Sequence, residues 1–411
     1  MSSWLRKTSG LAIATLLVAA ACGSSAVPTL PARKTSGNPA AWLAARVEQP
    51  SEIEALPTNA PGFCSPCHPI LGTYITGLVA TPSGFLAVGR ELPPSRAAAW
   101  TASADASEWK RDQSLPAPAA SGIAAAVSAG NAVLAVGTSG GTAAVWHATA
   151  GKWRLDPLPS PGQGMTEQLA AVAHTSGGYV AAGFEQDAFG QKQATFWRSA
   201  DGESWGRVDF GAPSVAPSGA RGGAPTSATE VTGLAASGHV VVAVGIVGDE
   251  RRGTAAAWRS DDDGNSWIAA SSPSFGTGRM LAVAAGTRGF VAVGENVNQT
   301  AAAAWSSSDG STWSTGGGSG LVYDGLEMVM TAVTAAPSGG FVADGWRSDA
   351  GNGSAVVWDS TNGQSWTRKP QDVTFSGAGM AAILRGPRLL TAGTIGWPDT
   401  HAAQVWLAPV D

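Results

Sequence analysis

Residues 280–313 read MLAVAAGTRGFVAVGENVNQTAAAAWSSSDGSTW, and this stretch decides the fold. Two short apolar segments flank a turn at residues 286–289, and their Val, Phe and Ala side chains suit packed strand positions. NVNQT connects the second segment to a third, AAAAW, and SSSDGSTW turns the chain toward a fourth. The stretch therefore predicts four consecutive antiparallel strands.

The same pattern recurs seven times with a period of roughly fifty residues, which is typical of propellers and other repeat arrays. In each unit, an apolar segment that ends in glycine is followed about eight to fourteen residues later by one that ends in tryptophan. The glycines are Gly89, Gly137, Gly183, Gly245, Gly294, Gly345 and Gly393. The tryptophans are Trp100, Trp146, Trp197, Trp258, Trp305, Trp358 and Trp406. The repeat predicts an all-β fold, a seven-bladed β-propeller of four-stranded antiparallel blades.

The two ends of the repeat complement each other. The last unit finishes with WLAPVD at residues 406–411, before a fourth strand can form. Residues 41–48, AWLAARVE, have the composition of a displaced fourth strand. We expect this N-terminal strand to complete the last blade and close the ring, which removes an exposed edge. Six blades with a separate N-terminal segment is the alternative.

The turn between the third and fourth segments carries the most specific motif. It is SDDDGNSW at residues 260–267, with shorter relatives SADGESW at 199–205, SSDGSTW at 307–313 and STNGQSW at 360–366. Asp or Asn can accept backbone N–H bonds across the turn, Gly permits a positive φ, and Trp buries its ring between sheets. The expected structural residues are Asp201, Trp205, Asp262, Trp267, Asp309, Trp313, Asn362 and Trp366.

These segments resemble the Asp-box, or BNR repeat, of sialidases and of several non-enzymatic propellers. The resemblance extends over roughly residues 70–411 and implies a propeller architecture. It also implies that the boxes are structural turns on a rim away from the ligand face. We therefore expect no catalytic role for Asp201, Asp262 or Asp309.

The N-terminus has the features of an export signal. Arg6 and Lys7 precede an apolar stretch at residues 11–21 that is too short to span a bilayer comfortably. Residues 18–23, VAAACG, resemble the lipobox of bacterial lipoproteins, which implies lipidation of Cys22 and anchoring to the outer side of the cytoplasmic membrane or the cell surface. A conventional signal peptide with an incidental Cys22 is the alternative. The expected organisation is a signal peptide at 1–21, a lipidated flexible tether at 22–40 and the propeller at 41–411.

Composition excludes one class of partner. Only 13% of the residues are charged, the net charge is -5, and no basic block is present. Nucleic-acid binding needs a basic footprint, so we expect none. We expect a monomer.

The candidate ligand face is the one that carries the second-to-third connections and the links between blades. These segments differ between units while the framework repeats, and loops on a rigid scaffold commonly carry binding. Trp346 and Trp397 are the preferred anchors, because indole rings are costly to leave in water. The full predicted set is Arg90, Glu185, Arg251, Glu295, Trp346, Trp397, Asp399 and His401.

Cys64, Cys67 and His68 form a C-x-x-C-H pattern on the link that would reach this face. A disulfide between Cys64 and Cys67 suits an exported protein and is the preferred interpretation, with no cofactor. The alternatives are haem c, with His68 as proximal ligand and Met165, Met280, Met330 or Met380 as distal ligand, and a soft-metal site such as copper.

No reactive constellation accompanies the repeat. Sialidases use a tyrosine nucleophile and an arginine cluster, but the chain has only Tyr74, Tyr179 and Tyr323 and lacks the Arg-Ile-Pro segment. Glu185, Asp249 or Glu295 could serve another glycan hydrolase, although nothing in the sequence pairs them. The sequence therefore favours a non-catalytic module that binds an envelope protein or a glycan, with a redox or metal protein and a glycan hydrolase as alternatives.

Overall fold

The computed structural model describes residues 42–50, 71–149, 151–209, 229–248, 253–270, 272, 275–296, 301–336, 339–349, 352–370, 372, 375, 378–386, 388–395 and 400–408. Regular structure in these ranges is almost all β, with a short 3-10 turn at Ser319–Leu321. No helix within them is long and apolar enough to cross a bilayer.

The middle of the described chain folds into four-stranded antiparallel sheets, numbered 2 to 6 in chain order. Sheet 2 contains β7 (Ser121–Ala129), β8 (Ala132–Ser139), β9 (Thr142–Thr149) and β10 (Lys152–Pro157). Sheet 3 contains β11 (Thr166–Thr175), β12 (Gly178–Gln186), β13 (Lys192–Ser199) and β14 (Gly206–Val208). Sheet 4 contains β15 (Thr229–Ser237), β16 (Val240–Val247), β17 (Thr254–Ser260) and β18 (Ile268–Ala269). Sheet 5 contains β19 (Arg279–Gly286), β20 (Gly289–Asn296), β21 (Ala301–Ser307) and β22 (Ser314–Thr315). Sheet 6 contains β23 (Met328–Ala335), β24 (Phe341–Asp349), β25 (Asn352–Ser360) and β26 (Thr367–Arg368).

The remaining strands form one nine-stranded assembly. Its first half, sheet 1, contains β3 (Leu71–Thr81), β4 (Gly84–Leu92), β5 (Arg96–Ala102) and β6 (Glu108–Arg111). Its second half, sheet 7, contains β27 (Ala378–Arg385), β28 (Leu389–Ile395) and β29 (Thr400–Leu407). The N-terminal strands β1 (Leu43–Ala44) and β2 (Arg46–Val47) complete it. A short parallel bridge between β29 and β3, at His401 and Gly72, joins the two halves.

The first strand of each sheet contacts the first strand of the next. These contacts run from β3 through β7, β11, β15, β19, β23 and β27, and β27 also contacts β3. The core lies between neighbouring sheets: Leu86 and Val88 of sheet 1, for example, pack in one buried cluster with Ile123 and Trp146 of sheet 2. The prediction of an all-β chain built from four-stranded antiparallel units is confirmed.

A β-bulge explains the repeated glycines. In every sheet the pairing of the first two strands shifts by one residue, as between Ile75 and Gly77 in β3. A Cβ atom on Gly89, opposite this bulge, would lie 1.8 Å from the Tyr74 carbonyl oxygen. The other six repeat glycines would meet the equivalent carbonyl at 1.9–2.0 Å. Only glycine therefore fits opposite the bulge, where the two backbones approach closely.

The segment 42–50 divides between sheets 7 and 1. β1 pairs antiparallel with β29, joining Leu43 to Leu407 and Ala44 to Trp406, whereas β2 runs parallel to β6. This differs from the single predicted strand over residues 41–48, because the chain crosses from one outer edge to the other at Ala45. Two short strands therefore cover two edges.

Side chains fix the segment at both ends. The Trp42 amide donates to Asp372 Oδ2 (3.0 Å), and its ring lies 5.5 Å from that of Phe375. Gln49 Nε2 donates to the Ala403 carbonyl (2.9 Å), and Gln49 Oε1 accepts from Thr73 Oγ1 (2.6 Å). One glutamine thus bonds to both sheet 7 and sheet 1.

Four of the turns between third and fourth strands have the same hydrogen-bond pattern. Asp201 Oδ1 accepts from the amides of Glu203 and Ser204, both at 2.8 Å, and the Trp205 indole donates to the Gly202 carbonyl (3.1 Å). These amide bonds lower the pKa of Asp201 to about 2. Asp262, Asp309 and Asn362 accept equivalent bonds, and the rings of Trp267, Trp313 and Trp366 donate to equivalent carbonyls. The carboxylates therefore hold turns.

Candidate functional site

The second-to-third connections emerge at the end of each sheet opposite the Asp-containing turns; we call this end the loop face. Sheet 3 shows the arrangement. The hairpin at Gly177 contacts Asp263 of a neighbouring turn, while the connection at residues 186–192 lies at the other end of β12 and β13. The links between sheets start and finish at the loop face as well.

The structure places the described candidates on strand ends rather than in loops. Arg90 lies in β4, Glu185 in β12, Glu295 in β20, Trp346 in β24 and His401 in β29. The strand ladders continue past the repeat glycines, so the true connections are shorter than the sequence analysis expected. Six predicted or alternative ligand residues and the lipidation site lie outside the described residues: Arg251, Trp397, Asp399, Cys64, Cys67, His68 and Cys22.

Three of the candidates share one register position. The residue that follows each repeat glycine is Arg90, Thr138, Phe184, Ile246, Glu295, Trp346 or Thr394. We call these seven residues the mouth positions. Arg90 lies over the next sheet, since a Cβ on Gly122 would be 3.6 Å from its side chain. The side chains at the mouth positions thus differ chemically from sheet to sheet, although they occupy the same register position. Alignment of the residues that follow the repeat glycines reveals this difference in the sequence.

Two candidate carboxylates are already bound. Glu185 Oε2 accepts from Arg207 Nη2 (2.7 Å), and Glu295 Oε1 accepts from Arg279 Nε (2.6 Å). Both glutamates are buried. Beside this second pair, burial and the charge of Glu295 raise the pKa of Glu327. Bonds of this length to arginine fix the side chains of Glu185 and Glu295 in place.

Tyr74, Arg90 and His401 come together where sheets 1 and 7 meet. The Arg90 guanidinium lies over the Tyr74 ring at 5.6 Å, and the rings of Tyr74 and His401 are 5.2 Å apart. Burial lowers the pKa of Arg90, partly offset by Tyr74, and burial raises the pKa of Tyr74. Among the described residues no carboxylate pairs with Arg90, and its buried Nε atom has no hydrogen-bond partner. This cluster can receive an anionic or carbonyl group from a ligand.

Among the described residues, the most exposed aromatic ring on the loop face is one that was not predicted from the sequence, Phe189. Phe189 is 91% exposed at the tip of the connection between β12 and β13. Asp187 Oδ1 accepts from the amides of Phe189 and Gln191, both at 2.9 Å, and the Gly190 amide donates to the Asp187 carbonyl (3.0 Å). The turn is therefore fixed while its ring faces solvent. The signal in the sequence is the Asp-x-x-Gly turn pattern at residues 187–190.

A groove lies on the outer side of the same sheet. Its volume is about 280 Å³, near the lower end of the range for ligand pockets. The lining residues are Gln193, Ala194, Thr195, Arg207, Val208 and Asp209. Thr195 is 1% exposed, and its hydroxyl has no hydrogen-bond partner among the described residues. Within the part of the chain that the structure describes, no group of three or more His, Cys, Asp or Glu side chains could hold a metal ion.

Comparison with known proteins supports the fold. YCF48 bound to a D1 peptide has a TM-score of 0.53 and 15% identity over 93% of this chain and 98% of that chain. YCF48 from Cyanidioschyzon merolae has a TM-score of 0.50 and 12% identity over 90% of this chain and 99% of its own. The GH74 xyloglucanase from Xanthomonas campestris has a TM-score of 0.50 and 17% identity over 82% of this chain and 55% of the enzyme. No protein-family model and no curated protein sequence matches the chain. These similar structures are β-propellers, so the chain has a propeller-type fold.

Proposed function

We propose that this chain is a seven-bladed β-propeller of the Asp-box type that binds a protein partner through its loop face and catalyses no reaction. Contacts between successive first strands, including β27 with β3, support the ring. The pairing of segment 42–50 with both β29 and β6 supports closure by the N-terminus. The shared hydrogen bonds of the four Asp- or Asn-containing turns support the Asp-box assignment.

One observation carries the proposal: the repeated framework holds chemically different side chains at fixed positions on the loop face. Phe189 projects from a hydrogen-bonded turn, Trp346 is only partly buried, and Arg90 lacks a carboxylate partner among the described residues. Aromatic rings and arginines that are already ordered make strong contact points, because little conformational entropy is lost on binding. YCF48, which has a similar fold, has been solved with a D1 peptide bound, and this favours a protein over a glycan.

The bound state of the carboxylates favours binding over catalysis. A glycan hydrolase needs one carboxyl group that donates a proton and a second that acts as nucleophile or base. Glu185 and Glu295 are each held by an arginine and buried. Their carboxylate oxygens are therefore already bonded to arginines of the fold.

The test uses two variants of the full-length chain. Phe189→Ala combined with Trp346→Ala removes two loop-face rings, and Ile268→Ala removes a side chain that is 72% exposed beside an Asp-containing turn. In quantitative cross-linking on intact cells of the native host, the double variant should form at least tenfold fewer specific protein cross-links than the wild type. The Ile268→Ala variant should form as many as the wild type. Equal cross-linking of both variants would reject the loop face.

We further propose, from the sequence, that the protein is exported and lipidated at Cys22, and that Cys64 and Cys67 form a disulfide. Intact mass of the mature chain should show the acyl groups and a loss of two hydrogens, and Cys22→Ala should release the protein from membranes. The C-x-x-C-H pattern also supports haem c or copper at Cys64, Cys67 and His68. A Soret band would indicate haem c, and a metal-dependent mass gain would indicate copper. Either result would contradict the disulfide.

A further inference from the structure

The outer edge of the third strand is covered at the loop face in several sheets. The position concerned lies three residues before the third-strand tryptophan. The Ala97 amide donates to Ser121 Oγ (2.9 Å), and the Ala143 carbonyl accepts from the Leu158 amide (2.8 Å). The Ala255 amide donates to the Gly276 carbonyl (3.3 Å), and the Ala403 amide donates to Thr73 Oγ1 (2.7 Å). Other segments of the chain thus bond to this edge in sheets 1, 2, 4 and 7.

In sheet 3 the equivalent residue is Ala194. β14 pairs only with Phe196, Trp197 and Arg198, and no described strand pairs with the outer side of Ala194. Backbone groups of alternate residues face the same side of a strand, and Ala194 therefore faces outward with Phe196. Within the described ranges no hydrogen bond from outside the β12–β13 ladder reaches the amide or carbonyl of Ala194, which is 4% exposed.

Burial without a partner is unfavourable for these groups. Buried backbone N–H and C=O groups are almost always paired, and an unpaired one costs about 1–3 kcal/mol. The neighbouring Thr195 hydroxyl is also buried and has no partner within the described part of the chain. Both residues line the groove of about 280 Å³. The floor of this groove therefore offers a donor, an acceptor and a hydroxyl to a ligand.

We propose that the edge at residues 193–195 binds an extended segment of the partner protein as an added β-strand, with its main chain paired to Ala194. This inference rests on the proposed function and names the ligand of the loop face as an extended peptide. The molecule itself shows what fits such an edge: in sheet 4, Thr277 pairs antiparallel with Thr254 and covers β17. Strand addition to an open edge is a recurring mode of peptide recognition.

Charges at the groove define the peptide further. Arg207 is bound to Glu185, so its charge is already compensated. Asp209 is exposed at the rim of the groove, and none of the ion pairs among the described residues involves it. The preferred peptide has a lysine or arginine beside a small residue that fits against Thr195.

The experiment selects random nonapeptides displayed on phage against the full-length chain and maps the enriched peptides by hydrogen–deuterium exchange. Bound peptide should slow exchange at residues 192–196. Ala194→Pro removes the amide that the peptide uses, at an edge where proline is tolerated, and should weaken binding at least tenfold. Because that variant can also disturb folding, Asp209→Lys provides a second test and should weaken basic peptides at least threefold. Thr101→Val, on the exposed side of β5, is the matched control and should change nothing.

The outcomes separate the two proposals. Peptides that bind but protect other parts of the loop face, such as residues 344–348, would overturn the added strand and leave the proposed function standing. Peptides that protect only the Asp-containing turns, or a library from which none is enriched, would contradict both. If Ala194→Pro does not fold, the exchange map and Asp209→Lys decide.

Discussion

Asp344 places a carboxyl group where equivalent strand positions carry Val88, Val136, Val244 and Val293. It is fully buried between sheets 6 and 7 and accepts hydrogen bonds from the hydroxyls of Thr391 and Thr331. Burial raises its pKa to about 8, although the two hydroxyl bonds oppose the shift. Asp344 is therefore a neutral acid in the folded protein at pH 7.

This protonation makes stability fall as pH rises. Between the unfolded pKa, near 3.8, and the folded pKa of about 8, the folded state holds a proton that the unfolded state has released. Asp344→Asn removes the titration, so its gain in unfolding free energy over the wild type should be absent at pH 3.5 and reach a few kcal/mol at pH 8. Urea denaturation at pH 3.5, 6 and 8 measures this. A difference that does not change with pH would contradict a buried neutral acid.

Gly310 combines a positive φ with close packing. Its φ is +83°, and an added Cβ would lie 2.5 Å from Val242 Cγ2 in the adjacent sheet. Gly130 has a φ of +59° and open space around the same position, so it isolates the backbone effect. Gly130→Ala should cost about 1 kcal/mol, and Gly310→Ala about 2–4 kcal/mol because overpacking adds to the strain. Equal urea midpoints for the two variants would show that Val242 moves aside.

Single residues also mark the limit of sequence reasoning. The repeat glycines and the Asp-containing turns follow from backbone geometry, which acts locally and leaves a pattern in the chain. Thr195 leaves no such pattern, and the turn pattern at residues 187–190 does not reveal the exposure of Phe189, because both features depend on what the folded sheets leave uncovered. The bound state of Glu185 likewise depends on Arg207, which lies on a different strand.

At the scale of strands, threonines in the bulges link adjacent sheets. Thr232 Oγ1 donates to the Met280 carbonyl of the next sheet (2.7 Å), and Thr76 and Thr331 make equivalent bonds to Ile123 (2.8 Å) and Met380 (2.7 Å). The remaining bulges carry Ala124, Ala170, Leu281 and Ala381, which have no hydroxyl. These bonds therefore join sheet 1 to 2, sheet 4 to 5 and sheet 6 to 7.

Thr232→Val tests this link without changing the side-chain shape. The variant leaves the buried Met280 carbonyl without its hydroxyl donor, so it should lower the free energy of unfolding by about 1–2 kcal/mol. Thr101→Val, on the exposed side of β5, is the control and should stay within about 0.5 kcal/mol of the wild type. Thermal and urea unfolding of both variants provide the comparison. A Thr232 variant as stable as the control would show that the bulge hydroxyl does not stabilise the contact between sheets.

For the whole molecule, the segment 42–50 is the decisive element. Removal of residues 1–41 leaves every described contact in place, whereas removal of residues 1–50 exposes the outer edges of β29 and β6. We expect the shorter deletion to retain the wild-type melting temperature. The longer one should melt at least about 5 °C lower and associate through its open edges, as measured by scanning calorimetry and sedimentation velocity. Similar behaviour of the two proteins would argue against closure by the N-terminus.

The sequence predicts the architecture of the whole molecule better than its site. Repetition makes each strand pattern visible seven times, so errors in one unit are corrected by the others. The division of residues 42–50 between two sheets has no repeated counterpart, and its crossing at Ala45 is decided by both edges together. The mouth positions lie between these cases, since the glycine before them repeats and the residue itself does not.

The Gln404 side chain donates to the carbonyl of Ala45, 359 residues earlier in the chain (2.7 Å). During synthesis β1 must therefore remain unpaired until β29 has left the ribosome, whereas β2 can pair with β6 much earlier. Deletion of β29 should then be as harmful as loss of the early segment, because β1 and β29 pair with each other. A truncated product would present unpaired strands at both ends and become a ready target for quality-control proteases.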